Sequence, residues 1–308
     1  MHLREGQLYT VNRGPDALPG FPICARCGRF VDTPAQTHQR PTGSRLYGPR
    51  PGSTCECRDI NRVILVHDFR SDVVLLGVAL ATGMHADATD SVGRAVWLSL
   101  GTALLHASST YLQIDPDELA MGIRPWMRED GRLHAEIFLY DTLPNGAGYA
   151  QEIAENIDFV MERAWILCSE CSDRSCQGAC YRCLLDYTNQ RYHAQLDRFL
   201  ALDVINFIRE GQIPTLSFER QLNALSRLQE ILLPGFDLQV DIQVENTRVP
   251  GIFTTPQGER SLLWPIHTLL SATQQQEARL TERTGMRPIF LREFDLLKRP
   301  VWVWDQII

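Results

Sequence analysis

Lysine is all but missing from this 308-residue chain: among 30 lysines and arginines, Lys298 is the only lysine. Several chemistries go with it. The phosphate loop GxxxxGK[ST] does not occur and no Asp-Glu-x-His box follows an apolar strand, so the chain alone is not expected to hydrolyse ATP. The HxK signature of phospholipase D nucleases and the D…ExK nuclease pattern both need lysines that are not there. Also lacking is any run of about 18 uninterrupted apolar residues, and the opening MHLREGQLYT has no apolar signal core, so neither membrane insertion nor secretion is expected. The expected compartment is cytoplasmic. Internal repeats and low-complexity tracts are absent. The net charge of -7 argues against coating nucleic acid through bulk positive charge. It leaves room for a local arginine face, since guanidinium is a good fork for phosphate oxygens, although a coding bias toward arginine explains the composition equally well.

What the chain has is an ordinary globular make-up, 44% hydrophobic and 22% charged, in a length that suits two or three packed units. It also has nine cysteines. In a reducing compartment these read as metal ligands rather than disulfides. The expected fold class is α+β in three parts. Residues 1–61, rich in Gly, Pro, Arg and Thr, form a zinc-stapled segment. Residues 62–212 form a mixed α/β unit of two hairpins and two long helices ending in a four-cysteine zinc knuckle, and residues 213–308 an α/β tail.

Within the central unit, RVILVHDF and DVVLLGVAL read as strands split by a polar turn at Arg70 to Asp72. Asp90 caps a long buried helix in which Val92, Val96, Leu100, Ala103 and Ala107 recur at helical spacing. LAMGIRPWM and LHAEIFLYD make the second hairpin, and PNGAGYAQEIAENIDFVMERAWIL the second long helix. HAQLDRFLALDVINFIREG is amphipathic and stops at Gly211. In the tail FERQLNALSRLQEILL reads as helix and FDLQVDIQVE as strand. KRPVWVW also reads as strand, with Trp302 and Trp304 on one face for core packing or for docking.

Cys24 and Cys27 form a CxxC knuckle, Cys55 and Cys57 a CxC pair, and two such pairs complete a tetrahedral zinc site. Gly28 directly after the second thiolate eases the first turn. The second cluster, CSECSDRSCQGACYRC, holds Cys168, Cys171, Cys176, Cys180 and Cys183, one more than a single ion needs. Cys180 and Cys183 are the firmest pair, and the sequence does not rank the other three. The expected cofactor is zinc, two ions in all, with an iron–sulfur cluster as the competing reading for the second group. Arg174, Arg182 and Arg191 surround it, either as phosphate contacts or as a solvated rim.

Taken together, YDTLPNGAGYAQEI, the cysteine cluster and CLLDYTNQRYHAQLDRFLALDVI resemble the MrfA-type zinc-binding domain of superfamily 2 DNA helicases and of helicase-partner proteins in anti-phage defence. With LVHDFRSDVVLL and AVWLSLGTALLHASSTYLQIDPDEL the resemblance covers residues 60 to 210. It implies a zinc module working beside a helicase motor on DNA, as in the partner subunit of DISARM-type systems or the tail of a Druantia-type helicase. The fifth cysteine departs from the family's usual four.

Asp141 with Asn145, Gly146 and Gly148 places an acid before a glycine-rich helix start. Its amides either hold a phosphate or are capped by Asp141 itself. His67 and His193 are candidate bases or ligands, and Trp264 a candidate stacking surface, each weighed against plain core packing. The leading expectation is a non-catalytic, zinc-binding accessory module that contacts DNA and docks a superfamily 2 helicase. The alternatives are a metal-dependent nuclease using Asp141 and His67, or a structural adaptor that binds only protein. The abrupt opening REGQLYTVNRGP leads one to expect a motor upstream, fused or encoded alongside.

Overall fold

The computed structural model describes residues 1–14, 19–31, 38–39, 54–56, 59–127 and 133–308. It is mixed α and β, as expected, and contacts divide it into two units, Glu5–Ser71 and Met1–Arg4 with Asp72–Ile308.

The first strands are β1 (His2–Asn12), β2 (Phe21–Cys24), β3 (His38–Gln39), β4 (Thr54–Cys55), β5 (Ile60–Val63) and β6 (Leu65–Gly77). In the smaller unit β2 pairs antiparallel with β5, and β3 with β4. Among its described residues the buried apolar cluster is Cys24, Cys27, Val31 and Cys55, with Ile60 packed against it. Three of the four residues in that cluster are thiols. β1 lies beside β6. Gln7 Nε2 donates to Asp68 Oδ2 at 3.0 Å, and Arg70 faces Glu5 at 3.9 Å.

The turn expected at Arg70 to Asp72 is replaced by continuous strand: β6 runs 13 residues straight through it. None of the three is Gly, Pro or Asn, none has positive φ, and Ser71 is fully buried. Polar side chains alone do not turn a strand when the backbone has no left-handed position to use. Only one of the two expected hairpins therefore forms.

In the larger unit α1 (Ser91–Leu112) is the central element, followed by β7 (Leu119–Met127) and β8 (Leu133–Asp141). Asp90 caps α1, its Oδ1 accepting from Gly93 N at 2.6 Å. Gly93 is required there, because a Cβ would sit 2.0 Å from the Asp87 carbonyl oxygen. β7 and β8 form the expected hairpin, from Leu119 opposite Asp141 to Met127 opposite Leu133. Leu100, Leu104 and Ile137 are at most 1% exposed, each contributing roughly 1.5–3 kcal/mol by its removal from water.

The second long helix is two, α2 (Tyr149–Glu155) and α3 (Ile157–Ser169). The break falls at Asn156, whose Nδ2 donates to both Glu152 O and Glu152 Oε1 at 3.0 Å. An asparagine that bonds back to the preceding turn competes with the helical ladder. The next helix, α4 (Arg198–Glu210), is capped by Asp197 and stopped by Gly211 at φ 67°. α1 packs against α3, α4, β7 and β8.

The remaining elements are α5 (Phe218–Gln229), β9 (Asp237–Val244), β10 (Thr247–Thr254), β11 (Arg260–Ile266), α6 (Gln274–Thr284), β12 (Pro288–Arg292), α7 (Glu293–Lys298) and α8 (Pro300–Ile307). The sheet order is β12-β11-β10-β9, with β11 and β12 parallel and the other pairs antiparallel. The strand expected over VWVW is helix α8. Pro300 occupies its first turn, where a missing N–H costs nothing, and the apolar residues serve a helical stripe instead. At about 100° per residue the two tryptophans diverge: Trp304 is buried against Phe236 and Phe253, while Trp302 is 43% exposed. Trp264, in β11, packs against the buried cluster of Val249, Ile252 and Leu262.

This part joins the main core. Leu269 and Phe294 belong to the same apolar cluster as the buried faces of α1 and α4. His267, 1% exposed, accepts from Leu269 N at Nδ1 (3.2 Å), so its Nε2 carries the proton donated to Asp203 at 2.9 Å.

Candidate metal centre

Between α3 and α4 the chain makes a tight loop that brings four thiols together. The Sγ atoms of Cys171, Cys176, Cys180 and Cys183 all lie within 4.8 Å of one another. Cys171–Cys180 are 3.6 Å apart, Cys180–Cys183 3.8 Å and Cys176–Cys183 3.9 Å. Zinc–sulfur bonds of about 2.3 Å at the tetrahedral angle put sulfurs about 3.8 Å apart, so the set fits one tetrahedral ion. An iron–sulfur core, which seats its thiolates on separate irons, needs them more widely spread. That competing reading loses to the geometry.

The loop is built to present these sulfurs. Asp173 Oδ1 accepts from Ser175 N and Oγ at 2.9 and 2.6 Å, turning the chain between Cys171 and Cys176. Cys180 N points at Cys183 Sγ (3.3 Å) and Arg182 N at Cys180 Sγ (3.4 Å), amide dipoles that stabilise thiolate charge. Burial pushes the Cys183 thiol above its ordinary value. Burial also works against the Cys176 thiolate, but the Gly178 amide and its polar neighbours outweigh it and hold that thiol down. A bound cation supplies the charge that lets buried thiolates form.

Cys168, on α3, is the thiol outside the group. It is fully buried, and burial pushes it up to about 12. It reads as a small apolar residue of the core.

Three side chains that the sequence reading passed over hold the loop in place. Arg198 donates from Nη1 to Cys168 O at 2.5 Å and from Nη2 to Cys176 O at 3.5 Å. His106, on α1, contacts Cys183 O through Nδ1 at 3.0 Å and Asp186 Oδ2 through Nε2 at 2.8 Å. Asp186 in turn accepts from Thr188 N and Oγ1, both at 2.6 Å, and from Asn189 N at 2.9 Å. Burial opposes its charge, yet these donors hold the Asp186 carboxyl below its ordinary value. The Asx turn in LDYTN was a readable signal, whereas His106, 77 positions before Cys183, had none.

In the smaller unit Cys24, Cys27 and Cys55 also bring their sulfurs within 4.8 Å of one another, all three buried. Gly28, at φ 71°, makes the expected turn, its N–H bonding Cys24 O at 2.9 Å. Cys57, the expected fourth ligand, lies outside the described residues.

Asp141 is fully buried and accepts from Ala147 N (2.6 Å), Tyr149 N (3.1 Å) and Ala150 N (2.8 Å). The helix-start amides thus hold the protein's own carboxylate, which is not free to activate water for a nuclease. Asn145 and Gly146 form the turn above it at φ 69° and 78°. His67 is exposed and stacks on Phe69 at 5.4 Å. His193 Nε2 is bonded to Asp186 O at 3.0 Å. Arg174, Arg182 and Arg191 are exposed, with Arg191 lying 4.6 Å over the Tyr192 ring. None of the three has a carboxylate in ion-pair range among the described residues. No helix of the described residues is long and apolar enough to cross a membrane.

Fold and site define a zinc-binding α+β module, its four-thiol knuckle carried between two helices. Residues 100–184 match the MrfA Zn-binding domain family. It is 31% identical over 252 residues to the Druantia protein DruE of Escherichia coli (strain UMEA 4076-1), covering 76% of this chain and 13% of that protein's length. Two crystal structures of the DUF1998 helicase MrfA are also similar. One, bound to DNA, has 16% identity and a TM-score of 0.37 over 67% of this chain and 22% of that one. The other, bound to DNA and AMPPNP, has 14% identity and a TM-score of 0.29 over 60% and 21%.

Proposed function

We propose that this chain is the zinc-binding accessory module of a helicase-dependent DNA-processing system in anti-phage defence, contributing DNA contacts and docking rather than catalysis. Two zinc ions stabilise it, one in each cysteine group, and its functional segments are 1–61, 62–212 and 213–308. Its partners are a superfamily 2 helicase motor and DNA. Arg174, Arg182 and Arg191 meet phosphate oxygens beside the knuckle, and Asn145 with Gly146 offers a second contact.

The observation that supports the reading is the knuckle itself: a metal-fitting thiol set ringed by exposed arginines that have no carboxylate in ion-pair range among the described residues, in a chain similar to a Druantia protein. An arginine already paired would have to give up its partner to meet a phosphate. These three do not.

Fluorescence anisotropy with DNA at two salt concentrations tests the proposal. Binding is expected to weaken as salt rises, and Arg182→Ala to lower the slope of log affinity against log salt by about one. Failure to bind any DNA at low salt, with helicase still co-purifying, would leave a protein-binding adaptor instead.

A further inference from the structure

β6 continues past the strand beside it. The contacts Gln7–Asp68 and Glu5–Arg70 run antiparallel, so His2, the first residue of β1, falls near Val73. Beyond that point β8 still pairs with β6 as far as Gly77 opposite Glu136. On the other side Leu76, Gly77, Val78 and Ala79 border a cavity of about 750 Å³. Successive residues of a strand face opposite ways, so a cavity lined by a whole run of them opens along the edge. The backbone there is unused. Val78 and Ala79 make no backbone hydrogen bond to any described residue, although Val78 is only 8% exposed. Backbone groups shielded from water need a partner, and an added strand is one that a sheet edge readily accepts.

The cavity is apolar in its depth and acidic at its rim. Leu100, Leu104 and Ile137 lie innermost, and Met161 and Phe207 flank them. A space of this size and lining is ample for apolar side chains of a ligand. Asp158 and Glu162 stand one turn apart on α3, both exposed. Neither has a hydrogen-bond or ion-pair partner among the described residues. The other charged residue on the lining, Arg209, is engaged elsewhere, its guanidinium 5.2 Å from the centre of the Trp165 ring.

We infer that this edge takes up an extended segment of a partner protein. The segment adds a strand beside β6, seats an apolar side chain in the cavity and sets lysine or arginine against Asp158 and Glu162. Backbone bonds and the apolar seat supply affinity, while the two carboxylates select a basic segment over an acidic one. No residue of the four-thiol knuckle or of its arginine rim takes part.

Two labelled peptides, Thr-Leu-Thr-Lys-Thr-Lys-Thr and its counterpart with glutamate in place of lysine, test the site by anisotropy on the zinc-loaded chain. The lysine peptide should bind about tenfold tighter or more, with the preference shrinking as salt rises. Amide hydrogen exchange should slow at Leu76 to Ala79 when it binds. Asp158→Lys combined with Glu162→Lys, both at exposed positions, should keep zinc content and reverse the preference. Equal binding of the two peptides, binding of neither, or a preference that survives the double variant would overturn the inference. So would uptake of the apolar dye anilinonaphthalene sulfonate with no slowing at Leu76 to Ala79 by peptide, since the cavity would then be a small-molecule site.

Discussion

His106 Nε2 lies 2.8 Å from Asp186 Oδ2 while the opposite ring nitrogen lies 3.0 Å from the Cys183 carbonyl, so one imidazole ties a metal-site backbone and the loop after it to α1. The ring is mostly buried, with 17% of its side chain exposed. His106→Ala is expected to cost about 1–3 kcal/mol, because two acceptors lose a partner out of easy reach of water. Urea unfolding of the zinc-loaded protein measures it.

Asp186 carries a pH dependence whose sign follows from its donors. Its folded value lies below the ordinary 3.8. The stabilisation is therefore complete above that value and is lost as pH falls through it toward the lower folded value. The stability gap between the native protein and Asp186→Asn should be constant near neutrality and narrow on acidification below 3.8. Both proteins keep the same thiols, so acid release of zinc affects the two alike.

Elemental analysis separates the fifth thiol from the four. Cys180→Ser should lower bound zinc by one ion per chain and loosen the segment between α3 and α4. Cys168→Ala, removing a buried sulfur outside the four-thiol group, should leave zinc content unchanged and cost about 1–2 kcal/mol in stability. Equal zinc loss in both variants would contradict the assignment.

At the strand-to-helix crossing Asp141→Ala is expected to destabilise by about 3 kcal/mol, since three buried amides lose their acceptor. Asp141→Asn, keeping one acceptor oxygen, should recover part of this. Thermal melts of the pair report it.

Trp304→Ala should cost about 3–5 kcal/mol through the cavity left beside Phe236 and Phe253. Trp302→Ala, at an exposed position, should cost under about 1 kcal/mol. Near-equal losses would contradict the divergence of the two rings on α8.

These contrasts mark where sequence patterns carry information. The cap at Asp90, the stop at Gly211 and the turn at Gly28 were legible because each rests on bonds within a few residues. The hairpin of β7 and β8 was legible because its two apolar runs flank the short polar sequence EDG. Arg70 to Asp72 misled because polarity resembles a turn while the backbone there is plain strand. VWVW misled because a four-residue alternation fits a strand or one buried stripe of a short helix, and neighbouring Pro300 decides between them. Choosing among Cys168, Cys171 and Cys176 needed the end of α3, which keeps Cys168 inside the helix and delivers Cys171 beyond it. Arg198 and His106 were invisible because their partners lie 22 to 80 positions away.

The bond from His267 to Asp203, with Leu269 and Phe294 seated in the core shared by α1 and α4, bears on how such chains can diversify. A recombination junction falling after residue 212 would strand a buried imidazole and open a hydrophobic wound in both parents' products. Variation in this half of the molecule should accumulate by substitution within a single inherited body, not by swapping its last third between lineages.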